Sequence, residues 1–355
     1  MAVFILKETE MKIDLFDYNL PLELIAQKQI KPRDNSRLMI LDRQKNKIEH
    51  KHFHNLPDYL TANDVLVVNQ TKVFPARLHG KKKTGGKVEV LLTERIDDNQ
   101  WQAMIGGRHI NVGDVIYLDK QLEAKIVKSI DGKIKQIKFN KSSEKLNTII
   151  DQIGHTPIPP YIKTEDSEQI KDDYQTIYAK ERGSAAAPTA GLHFTDKVLK
   201  ELEAKGINIF KVTLHVSLGT FAPVEVEDIT KHQIHHEWAN VDRETVDKLN
   251  QLKQQGKNII AVGTTSARTL EAFTDKQGKL SAGSKWVDIY IYPGYKYRFI
   301  DDIITNFHLP KSSLLFMISA LADREQILKA YQKAIAQKYR FFSFGDAMFI
   351  TSGRL

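Results

Sequence analysis

The residues of this chain best suited to chemistry fall in a few short polar blocks. The most unusual is GSAAAPTAGLHFT, Gly183 to Thr195. Seven of its thirteen residues are Gly, Ala or Ser. Such residues present little bulk, so a ligand or a neighbouring strand can lie against the backbone itself. Pro188 stiffens the middle by fixing one dihedral, with Ala187, Thr189 and Gly191 around it. His193 and Phe194 then set one titratable and one apolar ring beside bare backbone. Two readings are open: a rigid loop that presents a ligand to a helix, or a small-residue corner between two strands.

Three further blocks carry functional groups. LHVSLGT, Leu214 to Thr220, places His215 and Ser217 on one side of an alternating segment, followed by Gly219 and Thr220. Ligands of open α/β sheets sit at such strand ends. No nucleophile-elbow motif surrounds Ser217, which argues against a hydrolase. His232, His235, His236 and Glu237 invite a metal reading, but their spacing matches no zinc motif. Glu237 is a sensible proton acceptor if buried, because burial raises a carboxylate's pKa. AVGTTSARTLE, Ala261 to Glu271, reads as strand, tight loop and helix. Thr264, Thr265 and Ser266 converge there on a helix N-terminus with Arg268 in the first turn, a seat for a carboxylate or phosphate. Finally, Asn306, Phe307 and His308 precede Pro310, where they form either a base-stacking site or a packed corner.

These blocks must be positioned by regular elements. Pro21–Ile30 is expected as a short helix, Arg37–Leu41 as a strand and DVLVVN, Asp64–Asn69, as a buried strand. From Thr71 to Gly154 the pattern changes to short alternating β runs, including Val88–Leu92, Val115–Leu118, Ala124–Val127 and Ile134–Phe139, punctuated by glycine turns. That spacing predicts a small barrel inserted at residues 71–154. The prolines Pro157, Pro159 and Pro160 mark the return to a main domain built from residues 1–70 and 155–355. Strands then alternate with helices: a helix from Thr195 to Gly206, a strand over Lys211–Leu218, a helix ending at Gly256, strands over Asn258–Val262 and Trp286–Tyr292, and an apolar helix after Ser312. This order predicts an α/β domain with a mainly parallel sheet.

At 355 residues the chain can bury two cores. Apolar content of 41% and charged content of 27% are those of a globular protein. The densest apolar run, Leu314–Ala322, covers about half of the roughly 20 residues a membrane span needs, so no membrane partner is expected. Residues 1–10 lack a basic start and a long apolar stretch, so no signal peptide is expected there. The absence of cysteine removes disulfides, thiol nucleophiles and Cys-type zinc sites and fits a cytoplasmic protein. The net charge of +8 favours a polyanionic partner. Lys81, Lys82, Lys83 and Lys87 form one cluster, and eight lysines from Lys120 to Lys145 another. They suit a phosphate-tracking surface or a solvated strand face.

Eight blocks in fixed order resemble the S-adenosylmethionine:tRNA ribosyltransferase-isomerases of queuosine biosynthesis: FDYNLPLELIAQ, VLVVNQTKVFPARL, YQTIYAKERGSAAAPTAGLHFT, LHVSLGTFAPV, GTTSARTLE, IYPGY, ITNFHLPKSSLL and FFSFGDAM. The similarity runs from Met11 to Phe349. It departs at Gly154-His155-Thr156-Pro157-Ile158-Pro159, where the family commonly has Gly-x-Met-Pro-Leu-Pro, at His236 for a serine and at Ala185 for a valine. The resemblance implies an α/β domain with an inserted β-barrel. It implies transfer and isomerisation of the ribosyl moiety of S-adenosylmethionine onto 7-aminomethyl-7-deazaguanine in a tRNA with a GUN anticodon. Epoxyqueuosine would form, with release of adenine and methionine. S-adenosylmethionine is then a consumed co-substrate, no metal is needed, and the enzyme is expected to act as a monomer. A base must remove a proton beside the sulfonium, and His193, His215 and Glu237 are the candidates. Ala187, Pro188, Thr189, Gly191 and Phe194 are expected around adenine. Thr264, Thr265, Ser266 and Arg268 are expected at the methionine end, with Asn306 and His308 completing the binding set. An RNA methyltransferase and a non-catalytic RNA-binding protein are the competing readings. The first is weakened by the lack of a glycine-rich GxGxG loop.

Overall fold

The computed structural model describes residues 10–159, 161–163, 167–217 and 224–355. Pro160, Leu218, Gly219 and Thr220, and nearly all of the N-terminal extension, lie outside them. In chain order the first ten strands are β1 Arg37–Asp42, β2 Lys47–His52, β3 Asp64–Asn69, β4 Thr71–Val73, β5 Arg77–Lys82, β6 Lys87–Arg95, β7 Gln100–Gly106, β8 Val115–Leu118, β9 Glu123–Asp131 and β10 Ile134–Phe139. Helices α1 Ser143–Ile153 and α2 Glu168–Asp173 precede β11 Glu181–Ser184, α3 Asp196–Ala204 and β12 Asn208–Leu214. Next come β13 Glu237–Val241, α4 Arg243–Gln254, β14 Asn258–Val262 and α5 Gly263–Phe273. The chain closes with β15 Gly283–Val287, β16 Asp302–Asn306, α6 Ser313–Leu321, α7 Arg324–Ala336 and β17 Ala347–Thr351.

Two compact units result. One is drawn from Met1–Asn69, Pro188–Leu214 and Gly219–Leu355, the other from Gln70–Ala187 and His215–Leu218. The first holds a sheet of order β15-β13-β12-β3-β14-β16-β17-β1-β2. Its centre is β3, buried at every residue, as expected of a strand covered on both faces. The central run β12, β3, β14 and β16 is parallel. The flanks are not: β13, β15 and β17 join antiparallel, and β1 pairs parallel with β17 but antiparallel with β2. The α/β sheet is therefore mixed, with the parallel strands at its heart. β2 (KIEHKH) carries polar residues along the outer edge, which discourages pairing with another chain.

These directions have one consequence for function. β2, β3, β12, β14, β15 and β16 all end on the edge where β1, β13 and β17 begin. Ser36, Phe53, Asn69, Glu237, Gly263 and Asn306, far apart in sequence, thus reach a common rim of the sheet.

The second unit contains a closed antiparallel barrel, β10-β7-β6-β5-β8-β9. Alternate residues such as Val90, Leu92, Ala103 and Ile126 fill it, and α1 packs Leu146, Ile149 and Ile150 onto the same core. Gly80 lets the walls close: a Cβ there would lie 2.8 Å from both Ile116 and Leu118.

Four local expectations are corrected. Pro21–Ile30 forms only one tight turn, Leu22–Leu24. The backbone beyond it pairs with Phe341 through Ala26 N to Phe341 O (3.1 Å) and Phe341 N to Leu24 O (2.7 Å), bonds that a helix would have kept internal. The strand expected over Lys211–Leu218 stops at Leu214, whose N–H and C=O are taken by the side chain of Asn69 at 3.1 and 2.9 Å. The strand expected over Trp286–Tyr292 is Gly283–Val287. No loop separates β14 from α5. Gly263, at φ +87°, makes the turn in one residue as only glycine does cheaply, so Arg268 sits in the second helical turn. Among the described residues no helix is long and apolar enough to cross a membrane.

Candidate active site

The loop Gly183–Thr195 divides in two. Its first half is a packing corner. Ser184 Oγ donates to Ala186 O (2.7 Å) and accepts from Val216 N (2.8 Å), and Ala185 N reaches Val216 O at 3.1 Å. Ala185, Ala186 and Ala187 are buried, so their methyl groups are what allow this close approach. The second half, Thr189–His193, forms a 3-10 turn that ends in α3, with Thr195 Oγ1 accepting from Val198 N at 3.3 Å. Thr195 is thus the N-cap of α3.

His193 is buried, with its ring stacked on Phe53 at 5.1 Å between centroids. Nδ1 lies 2.7 Å from Ser36 Oγ and Nε2 lies 3.2 Å from Asn306 Nδ2. An amide nitrogen only donates, so Nε2 is the unprotonated atom and Nδ1–H donates to Ser36. Asn306 is itself oriented: its Oδ1 accepts from Thr189 Oγ1 at 3.0 Å and its Nδ2 also donates to Phe342 O at 3.2 Å. Burial, with the charges of Arg340 and Arg33, pushes the His193 pKa down to about 3. The ring is a fixed neutral acceptor.

The start of α5 supplies the charge. Arg268 and Glu237 are both almost fully buried and form an ion pair through Nη1 and Oε2. Arg268 Nε and Nη2 have no hydrogen-bond partner among the described residues, and neither has Thr265 Oγ1. Residues three apart share one helical face, so a hydroxyl and the side-on edge of a guanidinium stand together, desolvated and unpaired. That edge fits a carboxylate with two parallel bonds. Ser266 does not share the role, because its hydroxyl donates back to Val262 O at 2.7 Å. Thr264 is buried beside it. Gly263 approaches the Thr189–His193 turn closely: a Cβ on it would lie 3.6 Å from Ala190 Cβ.

Phe307 and His308 form a packed corner. Phe307 lies within Tyr331, Tyr339 and Phe341 at 5.0–5.4 Å. His308 Nε2 meets Thr305 Oγ1 at 2.9 Å, and burial lowers its pKa to about 3. His215 belongs to the second unit. Its Nδ1 lies 2.8 Å from Thr71 Oγ1, and its ring covers Gly183, where a Cβ would stand 2.4 Å from Nε2. Burial brings its pKa to about 4. Within the first unit the fold therefore unites Pro188–Phe194, Asn306 and the start of α5. His232, His235, His236 and Glu237 do not form a metal cluster: no group of three or more metal-type ligands occurs among the described residues, and His232 instead packs edge-on against Tyr290.

The match to known proteins covers the whole of this arrangement. The family model described as queuosine biosynthesis protein matches residues 13–350. The chain belongs to this family. A curated member, the S-adenosylmethionine:tRNA ribosyltransferase-isomerase of Desulforamulus reducens, is 49% identical over 343 residues, 96% of this chain and 100% of the relative. The crystal structure of the S-adenosylmethionine tRNA ribosyltransferase from Thermotoga maritima superposes with a TM-score of 0.55 at 34% identity, covering 95% of this chain and 99% of that one. The chain is thus an enzyme of the ribosyltransferase-isomerase class, and the α/β sheet with its barrel is the architecture of a member of the family.

Sequence reasoning missed three residues of this candidate site. Ser36 and Phe53 flank strands of unremarkable sequence, and only the strand directions carry them to His193. Glu271 lies one turn beyond Arg268 and is buried. It accepts bonds from Tyr295 Oη and from the N–H groups of Arg298, Phe299 and Ile300 at 2.9–3.1 Å. Its signal was a second charged residue on the face of α5 that carries Arg268.

Proposed function

We propose that the chain transfers and isomerises the ribosyl moiety of S-adenosylmethionine onto 7-aminomethyl-7-deazaguanine at the wobble position of a tRNA with a GUN anticodon. Epoxyqueuosine-tRNA forms, and adenine and methionine leave. The observation that carries the reading is the desolvated Nε–Nη2 edge of Arg268 with the Thr265 hydroxyl beside it. A buried guanidinium holding one carboxylate and presenting a second binding edge is suited to the carboxylate of the methionine portion. Thr264, at the same helix start, lies in reach of that end.

Adenine is assigned to the turn Pro188–Phe194, where Gly191 and Phe194 offer an apolar wall and the Thr189–Asn306–His193 chain offers fixed donors and acceptors. The proton beside the sulfonium needs an unprotonated base. Glu237 is paired with Arg268, His193 Nε2 with Asn306 and His215 Nδ1 with Thr71, and these three residues are the candidates for the acceptor. S-adenosylmethionine is consumed, and no residue is assigned to a metal. The reading includes action as a cytoplasmic monomer, and light scattering on the eluted protein tests the oligomeric part.

The enzyme is incubated with S-adenosylmethionine and tRNA bearing the aminomethyl-deazaguanine base. Adenine should be released in equal amount to the mass gained by the tRNA. Release of S-adenosylhomocysteine instead would make the chain a methyltransferase and overturn the reading.

A further inference from the structure

Residues 71–154 hold 16 Lys and Arg against 10 Asp and Glu, so this stretch carries +6 of the chain's net +8. Within it, the charge at one end of the barrel is arranged by specific bonds. The β5–β6 hairpin places Lys81, Lys83 and Lys87 in solvent. Strand register sets Lys81 directly opposite Lys87 on one side and opposite Tyr117 of β8 on the other. Like charges directly opposite each other destabilise a sheet, so this pairing costs stability in the free protein. Tyr117 is 42% exposed, an aromatic ring left in water in line with the two ammonium groups.

The turn after β7 joins the same end. Lys82 Nζ donates to the carbonyl oxygens of Arg108 and His109 at 2.9 and 3.0 Å, which ties that turn to the hairpin and leaves Arg108 exposed beside it. Among the described residues none of Lys81, Lys83, Lys87 and Arg108 forms an ion pair. On the paired strands, Glu89 faces Arg77 at 3.9 Å and His79 at 3.5 Å, and Glu123 lies opposite Tyr117 in the register.

We propose that this end of the barrel, formed by Lys81, Lys83, Lys87, Arg108 and Tyr117, is the surface that grips the sugar-phosphate backbone of the RNA substrate. The proposal rests on the reading of the chain as a tRNA-modifying enzyme and names where the polyanion is held. A row of unpaired cations tracks phosphates without reading sequence, and the tyrosine stacks on an unpaired base or packs on a ribose.

The test compares two triple variants of the full chain. One is Lys81→Gln, Lys87→Gln and Arg108→Gln; the control is Lys120→Gln, Lys138→Gln and Lys145→Gln, exposed lysines at the opposite end, where the β8–β9 turn and the end of β10 lie. Fluorescence anisotropy with an anticodon stem-loop RNA, from 50 to 300 mM salt, gives affinity and its salt slope. The first variant should bind roughly tenfold or more weakly, with the slope of log K against log salt reduced by about 0.7–0.9 for each phosphate no longer neutralised. Its kcat at saturating tRNA should stay that of the parent, with the loss in KM. The control should bind as the parent does. Circular dichroism melts identify any variant that fails to fold, and Tyr117→Ala, which changes no charge, should weaken binding without altering the slope. Unchanged affinity and slope in the first variant, or an equal loss in the control, would overturn the proposal. Failure of the parent enzyme to release adenine would instead refute the catalytic reading, with the binding measurements untouched.

Discussion

At the scale of single residues, the site is defined by groups whose charge state burial has decided. Removing one member of a buried ion pair leaves the other uncompensated, at a cost of about 3–5 kcal/mol. Glu237→Gln should therefore lower the melting temperature sharply as well as abolish turnover, and calorimetry beside an adenine-release assay checks both. Arg268→Lys keeps the charge but loses the planar edge. Its melting temperature should fall less, while KM for S-adenosylmethionine rises by about tenfold or more, as expected for loss of a bidentate, charge-assisted interaction. The buried histidines make a pH prediction. Above about 6.5, their ordinary value, His193, His215 and His308 are neutral whether the chain is folded or not. As pH falls, the unfolded chain takes up protons that the folded sites refuse until about 3 for His193 and His308 and about 4 for His215. Stability should thus decline from pH 6.5 towards 4, by up to about 1.4 kcal/mol per pH unit for a fully buried ring. His193→Gln should flatten that decline in a series of melts. A slope unchanged by the substitution would show that the ring is not held neutral.

Among the elements, α5 does the most. It starts without a loop after β14, presents Thr265 and Arg268, and one turn later uses Glu271 to gather three backbone N–H groups and a tyrosine hydroxyl. Glu271→Gln keeps the shape but loses charge-assisted bonds, so the segment Tyr295–Ile300 should exchange its amide protons faster, at a stability loss of about 1.5–3 kcal/mol. The loop before α3 shows how composition can serve two ends. Its alanines are needed for strand packing and its Gly183 for the imidazole of His215. Gly183→Ala would push that ring aside, and the expected result is a fall in kcat at nearly constant KM for tRNA. Pro21–Ile30 looked helical because its apolar spacing was right, yet its backbone found a partner in Phe341, a pairing that no local pattern contains. For β12, the helix–strand order was legible, but its end was decided by the side chain of Asn69, 145 residues away from Leu214.

For the sheet as a whole, one rim carries the candidate site and the opposite rim carries a structural lock. There, Arg354 donates to both carboxylate oxygens of Asp64 at 2.9 and 2.5 Å and to Asp302 at 3.1 Å. Burial raises the pKa of Asp302. Burial also opposes ionisation of Asp64, but the bonds from Arg354 and from Thr61 N–H outweigh it and hold its pKa low. Asp42 completes the lock by accepting from the N–H groups of Gly353 and Leu355 at 3.0 Å. Arg354→Ala should lower the urea midpoint by the equivalent of about 3 kcal/mol or more, while KM for S-adenosylmethionine, proposed to bind at the far rim, should stay unchanged.

The sequence by itself determined the kinds of element, the change from α/β alternation to short barrel strands, the ordered motifs that place the chain in its family, and the residue types of the site. Those are local properties: apolar period, turn residues, caps and the chemistry of side chains are written within a few positions of one another. The tertiary structure alone decided that Ser36, Phe53 and Asn306 converge on His193, that Arg268 spends one nitrogen on Glu237 and keeps two in reserve, and that the flanking strands run against the central ones. Those depend on strand direction and burial, which arise from pairings between residues 31 to 157 positions apart, as for Arg268 with Glu237 and Ser36 with His193, and leave no mark on the local pattern.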